Sequence, residues 1–361
     1  MTERLLTSSA PVFEVGGEVK GEMSRDLLRL EVKETTAGLK TLTARLLAQG
    51  PESGSPQEKL LYLDGRVFDF GKEVSVSLGP GSDARNVFRG FVSGIEADFG
   101  EGREPQVILF AEDKLMNLRM TRRARTYEQV TDADIASRIA GEHGLTAEAD
   151  AEGPTYDVVQ QWNQSDLAFL RERARLIQAE VWFADDALHF KTRDKRTATE
   201  LTLVQGNHII ELAARADLAH QRTKVKVSGY DASARERIEE EAGDEAVQAE
   251  ISGGRTGLSV LSQAFGERTS YRVREAPLQG AEAREWARAE MLRRARGFVT
   301  VIGTTRGSPD MVVGSRLTLE RVGAPFNGEG YYVTSVFHSY DLEEGHRTRF
   351  VAERATIQEG A

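Results

Sequence analysis

The 361 residues suffice for two domains of ordinary size, and 40% apolar to 29% charged residues is the balance of a globular chain. With no cysteine, disulfides and thiolate metal sites are excluded, and a net charge of −10, from 47 basic and 57 acidic residues, disfavours broad attraction to nucleic acid or anionic lipid. No stretch approaches the roughly 20 apolar residues of a membrane helix, and Met1–Phe13 is too poor in them for a signal-peptide core.

The N-terminal third reads as strands. Leu28, Leu30 and Val32 alternate with Arg29, Glu31 and Lys33, as a half-buried strand requires. Gly50–Pro56 reads as a loop. Val74, Val76 and Leu78 alternate with serines and run into a Gly-Pro-Gly turn at Gly79–Gly81, after which Phe88–Phe99 and Pro105–Ala111 are again strand-like.

The middle changes period. Thr131 is placed to cap a helix with acids in its first turn and Ile135 and Ile139 one turn apart, ending near Gly144. Ser165 caps a second helix that lines up Leu167, Leu170, Ala174 and Ile177. Glu180–Phe183 and Ala187–Lys191 flank Asp185-Asp186 as a hairpin. Strands return at Val225 and Val227. The acid-rich run Arg235–Glu250 holds little to bury and reads as a solvated loop or mobile helix. A third helix covers Ala281–Arg296, with acids early, arginines late and Gly297 as its stop.

A duplication runs beneath this order. Ala111-Glu112 recurs 241 residues later as Ala352-Glu353, and the same offset aligns Phe91-Val92 with Tyr332-Val333, Ile95 with Val336, Val76 with Leu317 and Leu78 with Leu319. The expected fold is therefore mainly β (α+β): two related β-barrel domains with an inserted α/β region. The first barrel is expected over 1–125, the insertion over 126–200, and the second barrel over 201–361 with the long helix and a charged loop at 235–256. Three such chains about a cyclic axis would present six similar units.

No constellation points to chemistry. Among His143, His189, His208, His220, His338 and His346 none has zinc-type spacing, although His338 and His346 bracket a turn and could meet across it. ISGGRTG, with Gly253, Gly254 and Gly257, lacks the ending and context of a phosphate loop and reads as a flexible loop. Ser93-Gly94 has no nucleophile-elbow context. Arg119, Arg122, Arg123 and Arg125 form the clear basic cluster, suited to a turn or an ion-paired subunit contact more than to nucleic acid. Trp162, Trp182 and Trp286 suit a core or an interface equally. Catalytic, cofactor-binding and metal residues are accordingly expected to be none, with no cofactor.

Four runs carry a family resemblance: FRGFVSGIEADF, ILFAEDKLMNLRMTRRARTYEQVTDADIASRIAGEHGL, SDLAFLRERARLIQAEVWFADDALHF and VVGSRLTLERVGAPFNGEGYYVTSVFHSYDLEEGHRTRFVAER. Their order and spacing over residues 20–356 resemble the phage late control protein D family and the hub portion of VgrG proteins of type VI secretion. The resemblance implies a non-enzymatic baseplate hub of a contractile, phage-tail-like injection system. Such a hub is a homotrimer of pseudo-sixfold symmetry, adapting a sixfold tail tube to a threefold spike.

VgrG proteins continue into a neck and a β-helical needle, whereas this chain stops near its last strand. A separate spike protein is therefore expected to make the piercing tip. The implied partners are further copies of the chain, the tail tube protein, that spike and other baseplate proteins, with no nucleic acid and no direct membrane insertion. The implied setting is assembly in the bacterial cytoplasm, in a particle or virion open to later release. The alternative from another class is a cell-wall-binding or peptidoglycan-degrading tail protein, for which the compact region Tyr127–Lys191 speaks and the lack of a glycosidase-like acid pair speaks against.

Overall fold

The computed structural model describes residues 10–51, 58–80, 84–232, 234–251, 253–273 and 279–358. Most of the expected loop at Gly50–Pro56, Gly81 of the Gly79–Gly81 turn and most of the Met1–Phe13 segment lie outside them.

Among the described residues thirteen strands hydrogen-bond into one sheet. Its path runs through Ile209–Ala216, Val299–Arg306, Gly345–Arg354, Gly328–Asp341, Leu27–Thr35, Thr41–Leu47, Gln106–Glu112, Arg85–Asp98, Glu73–Leu78, Val12–Val15 and Glu18–Val19. Arg316–Glu320 and then Glu200–Val204 branch from Gly328–Asp341.

This corrects the expectation of two closed barrels. The sheet is open, with smaller open sheets beside it, and the fold is mixed α/β and mostly sheet. The physical reason lies at the middle of the path. A strand has two edges, and one edge of Gly328–Asp341 is filled by Gly345–Arg354. The other is shared, first by Arg316–Glu320 and then by Leu27–Thr35 from the far end of the chain, from Thr35 opposite Ser335 to Arg29 opposite Asp341. An edge given to the other half cannot close its own.

The duplication extends to the register. Phe91 faces Glu112 and Val92 faces Ala111; 241 residues on, Tyr332 faces Glu353 and Val333 faces Ala352. Each ladder then skips one residue, Ser93 or Thr334, and resumes with Gly94 opposite Phe110 and Ser335 opposite Val351. A second interruption is shared as well. Leu28 is skipped between Leu27 and Arg29, and Ile210 between Ile209 and Glu211. Apolar alternation is cheap to repeat by chance, but β-bulges at matching sites are not. Leu27–Thr35, Thr41–Leu47, Gln106–Glu112, Arg85–Asp98 and Glu73–Leu78 thus have counterparts, in the same spatial order, in Ile209–Ala216, Val299–Arg306, Gly345–Arg354, Gly328–Asp341 and Arg316–Glu320.

Burial follows this equivalence in part. Val76 and Leu317 are both buried, as are Leu78 and Leu319, whereas Phe91 and Ile95 are half-buried where Tyr332 and Val336 are buried. The second copy is covered by its neighbours where the first is not.

The helices fall where the caps predict. The Thr131 hydroxyl accepts from the Asp134 N–H while the Asp134 carboxylate accepts from the Thr131 N–H, a capping box that opens Asp132–Glu142. Ser165 opens Asp166–Ile177, and Gly280–Arg296 ends at Gly297. Asp185 and Asp186 turn the hairpin with φ of 50° and 59°, the left-handed pair that a two-residue turn needs. These helices share one apolar core with Val225, Val227 and Trp286, while each half of the large sheet has a core of its own.

The expected charged loop at 235–256 is also corrected. Glu236–Ala242 is a strand paired with Lys224–Asp231, Asp244–Gln248 is a helix, and Arg255–Thr256 is a short strand against Thr356–Ile357. Composition hid an alternation. Glu239 and Glu241 meet Lys226 and Lys224 on the open face, while Ile238 and Ala242 are buried on the other.

Candidate functional site: two open sheet edges and the buried polar joint between them

Besides the end strands Glu18–Val19 and Glu200–Val204, two further stretches of the large sheet have no strand partner on one side among the described residues. Apart from an isolated bridge from Ile209 to Gln205, Ile209–Ala216 pairs only with Val299–Arg306. The Asp217 N–H donates to the Phe298 carbonyl across that ladder (3.0 Å), so strand alternation turns the N–H groups of Leu212, Ala214 and Ala216 outward. The second stretch is Gly94–Asp98. One side pairs with Gln106–Glu112, but Glu73–Leu78 on the other side stops at Phe91. Glu96, Ala97, Ala213, Arg215 and Ala216 are exposed, and Phe99, just past the strand, is 59% exposed.

Their counterparts are joined. Leu27–Thr35 and Ser335–Asp341 are the repeats of these two edges, and they pair with each other at the centre of the sheet. Leu30, Val32, Val336 and His338 are buried there, where the corresponding Leu212, Ala214, Ile95 and Ala97 are not.

Beside this joint lies a buried carboxylate. Glu180 accepts from Arg193 Nε (3.1 Å), Arg196 Nη1 (2.9 Å) and the Tyr332 hydroxyl (2.7 Å). Arg196 also donates to Glu34 (2.8 Å), and Arg193 reaches Glu353, so Glu180 ties the hairpin to both halves of the sheet. Arg196 lies 4.2 Å above the Trp182 ring.

The four arginines of the basic cluster are all engaged within the chain. Arg119 pairs with Glu112, Arg122 donates to the Asn163 carbonyl (2.9 Å), Arg123 pairs with Asp166 (3.0 Å) and Arg125 with Glu142. Asp166, at the start of its helix, also accepts from Gln161 (2.8 Å) and lies 2.8 Å from His143.

His338 and His346 do meet, Nδ1 to Nε2, at 3.3 Å. Burial pushes their imidazoles down to about 3 and about 4. His189 stacks on Trp182 and is held below its usual value by burial. The Asp113 carboxyl is pushed up to about 6 by burial, against the Lys40 and Leu115 N–H groups that it accepts from. Trp286 is core, Trp182 half-buried, and Trp162 is 72% exposed on the Tyr156–Ser165 strand. Of ISGGRTG, Thr256 caps the helix Gly257–Phe265; Ser252 lies outside the described residues.

Sequence reasoning missed Glu180 and Asp166. Each lies inside a correctly read element, but the partners that give it meaning come from up to 152 residues away, and no local pattern announces them. Among the described residues no group of three or more His, Asp or Glu is placed to hold a metal ion, and no helix is long and apolar enough to cross a membrane.

A family model described as the Alg8 N-terminal domain matches residues 44–341. No curated protein matches the sequence. Among solved structures, the fold is similar to the 43 kDa tail protein of prophage MuSo2 from Shewanella oneidensis, with a TM-score of 0.70 at 13% identity over 96% of this chain and 98% of that one. It is similar to the tail protein of Neisseria meningitidis MC58, with a TM-score of 0.65 at 12% identity over 96% of each chain. The c3393 protein of E. coli gives a TM-score of 0.59 at 14% identity over 93% of this chain and 76% of that one. It is described as a type VI secretion component with structural similarity to the T4 bacteriophage tail proteins gp27 and gp5. The resemblance seen in the four sequence runs thus holds at the level of the fold.

Proposed function

The chain belongs to the Alg8 N-terminal domain family, and from the fold it shares with tail proteins we propose that it is the structural baseplate hub of a contractile, phage-tail-like injection system. The observation that carries the reading is the duplication with its shared bulges. One chain holds two equivalent five-stranded units, so a homotrimer offers six, the valence of a sixfold tube, while keeping threefold symmetry for a spike. In this reading residues 1–125 and 201–361 carry the repeated units and 126–200 braces them. Partners are the tube protein, a spike and other baseplate proteins, and the chain assembles in the bacterial cytoplasm into a particle.

The role is mechanical, and no step of chemistry is assigned to any residue. The test is deletion of the gene from a producing bacterium, followed by electron microscopy. The expected outcome is loss of particles with tube and baseplate joined, restored by the tagged gene, with the tag at the baseplate end. Intact particles without the chain would overturn the proposal. Clearing of peptidoglycan by the purified chain in a zymogram would favour a wall-degrading tail protein instead.

A further inference from the structure

The joint at the centre of the sheet is a template for contacts between copies. We propose that the edge Ile209–Ala216 of one copy pairs antiparallel with the edge Gly94–Asp98 of the next, repeating between chains the pairing that Leu27–Thr35 and Ser335–Asp341 make within one. The inference rests on the hub reading only for the number of copies in the ring; the contact itself is read from the duplicated registers.

Two offsets set the register. Residues of Gly328–Asp341 map onto Arg85–Asp98 by 241. Arg29–Lys33 maps onto Glu211–Arg215 through equivalent ladders, with Lys33 opposite Thr41 as Arg215 is opposite Thr300, and Thr41 and Thr300 opposite the Ala-Glu glutamates Glu112 and Glu353. Val336 faces Glu34, Phe337 faces Lys33 and His338 faces Val32 within the chain. Between chains the same geometry sets Ile95 opposite Ala216, Glu96 opposite Arg215, and Ala97 opposite Ala214. Continued two pairs further along each strand, it brings the exposed Phe99 to Leu212.

Three independent observations support the pairing. The backbone polarity fits. The Thr36 N–H donates to the Thr334 carbonyl across the internal joint (3.1 Å), and this parity makes Ala214 and Ala97 a hydrogen-bonded pair, as the outward N–H of Ala214 requires. The charges fit, because Glu96 and Arg215 then form a non-hydrogen-bonded pair, where side chains approach most closely. The surfaces fit too. Both edges carry small or apolar residues without Pro or Lys, and Phe99 and Ile210 are 59% and 42% exposed, features that an edge kept apart from other chains avoids.

Because the chain has no cysteine, the contact can be read by cross-linking. Non-hydrogen-bonded cross-strand pairs have the short Cα separation that a disulfide needs. The full-length E96C/R215C chain, oxidised at high concentration, is expected to form covalent oligomers on a non-reducing gel. The E96C/A214C control, with its second thiol on the opposite face, is expected to form at least tenfold less. Ala214→Pro removes an outward N–H but no bond of the existing ladder. It is expected to raise the dissociation constant of the oligomer at least tenfold in sedimentation, with unchanged circular dichroism.

If three copies assemble but E96C/R215C does not cross-link above the control, the pairing is wrong and the hub reading survives. If the cross-link forms and the closed species is not a trimer, the pairing stands and the trimeric hub fails. A chain that stays single and uncross-linked at every concentration overturns the pairing.

Discussion

The Nε2 atom of His346 lies 3.3 Å from Nδ1 of His338, and the Thr348 hydroxyl is within 3.1 Å of the same His338 nitrogen. Both rings are buried and held neutral, with values depressed to about 3 and about 4. In the unfolded chain each takes up a proton near about 6.5. Between those values the unfolded state binds more protons, so stability is full above about 6.5 and is lost as the pH falls toward about 4. Asp113, raised to about 6 by burial, works in the opposite sense and offsets part of the loss. Calorimetry is expected to show Tm falling between about pH 7 and about pH 5, and His338→Gln with His346→Gln should remove at least half of that fall. An unchanged slope in the double variant would refute the assignment.

Glu180 is the common acceptor of two guanidiniums and a phenol, so its loss leaves Arg193 with Glu353 alone and Arg196 with Glu34 alone, and takes the carboxylate from the buried Tyr332 hydroxyl. Glu180→Ala is expected to cost about 3–5 kcal/mol, measured by urea denaturation. Tyr332→Phe removes one hydrogen bond to a charged group and should cost about 1.5–3 kcal/mol. Equal effects of the two variants would mean that Glu180 is not the anchor.

Gly38 turns the chain between Leu27–Thr35 and Thr41–Leu47 at φ 66°, and a Cβ there would stand 2.3 Å from the Val181 carbonyl oxygen. Arg171 clasps the same turn, donating to the Ala37 carbonyl (2.6 Å) and the Gly38 carbonyl (3.2 Å). Gly38→Ala therefore meets both backbone strain and a clash, and is expected to lower stability by more than about 1 kcal/mol. Gly71→Ala, with φ 75° and nothing within 4 Å of its Cβ, is the control that isolates the strain. Proteolysis near Val181 should accelerate in the first variant alone.

Arg173 and Asp132 form a buried pair at 2.5 Å, with the Tyr156 hydroxyl on the second carboxylate oxygen at 2.9 Å. Burial pushes the Asp132 carboxyl up, and Arg173 holds it back. Arg173→Met is expected to destabilise by about 3–5 kcal/mol, and adding Asp132→Asn should recover part of it. A double variant no better than the single would place the loss in packing against Tyr156, over whose ring Arg173 sits at 4.3 Å.

How far the sequence was legible depended on whether the cause was local. Thr131, Ser165 and Gly297 act within a turn of themselves, and their helices end where expected. Asp185-Asp186 specifies its own turn. The constant offset was legible because duplicated strands keep their spacing, and the structure adds the bulges at Ser93 and Thr334. Closure was not legible. Alternation at Leu30 and Val32 says that one face is buried and says nothing of which strand fills the edge, which turned out to be Gly328–Asp341. In Glu236–Ala242 composition outweighed period, because three of its seven residues are spent on the face that meets Lys224, Lys226 and solvent. For the assembly edges the sequence held the pattern of Ile209–Ala216 but no sign that its outer edge stays open.

The pairing of Arg29 with Asp341 also sets a clock on the ribosome. Leu30 and Val32 are made early, yet the strand that covers them emerges some 300 residues later, on the order of 15–60 s at bacterial rates of synthesis. Through that interval the Thr41–Leu47, Arg85–Asp98 and Gln106–Glu112 strands can pair, while the outer edge of Leu27–Thr35 waits uncovered on the nascent chain. Closing so long a loop is slow, and an open apolar edge invites a neighbouring nascent chain on the same message to fill it first. Yield from this chain should therefore track the rate of translation and the supply of chaperones more closely than the stability of the finished fold does.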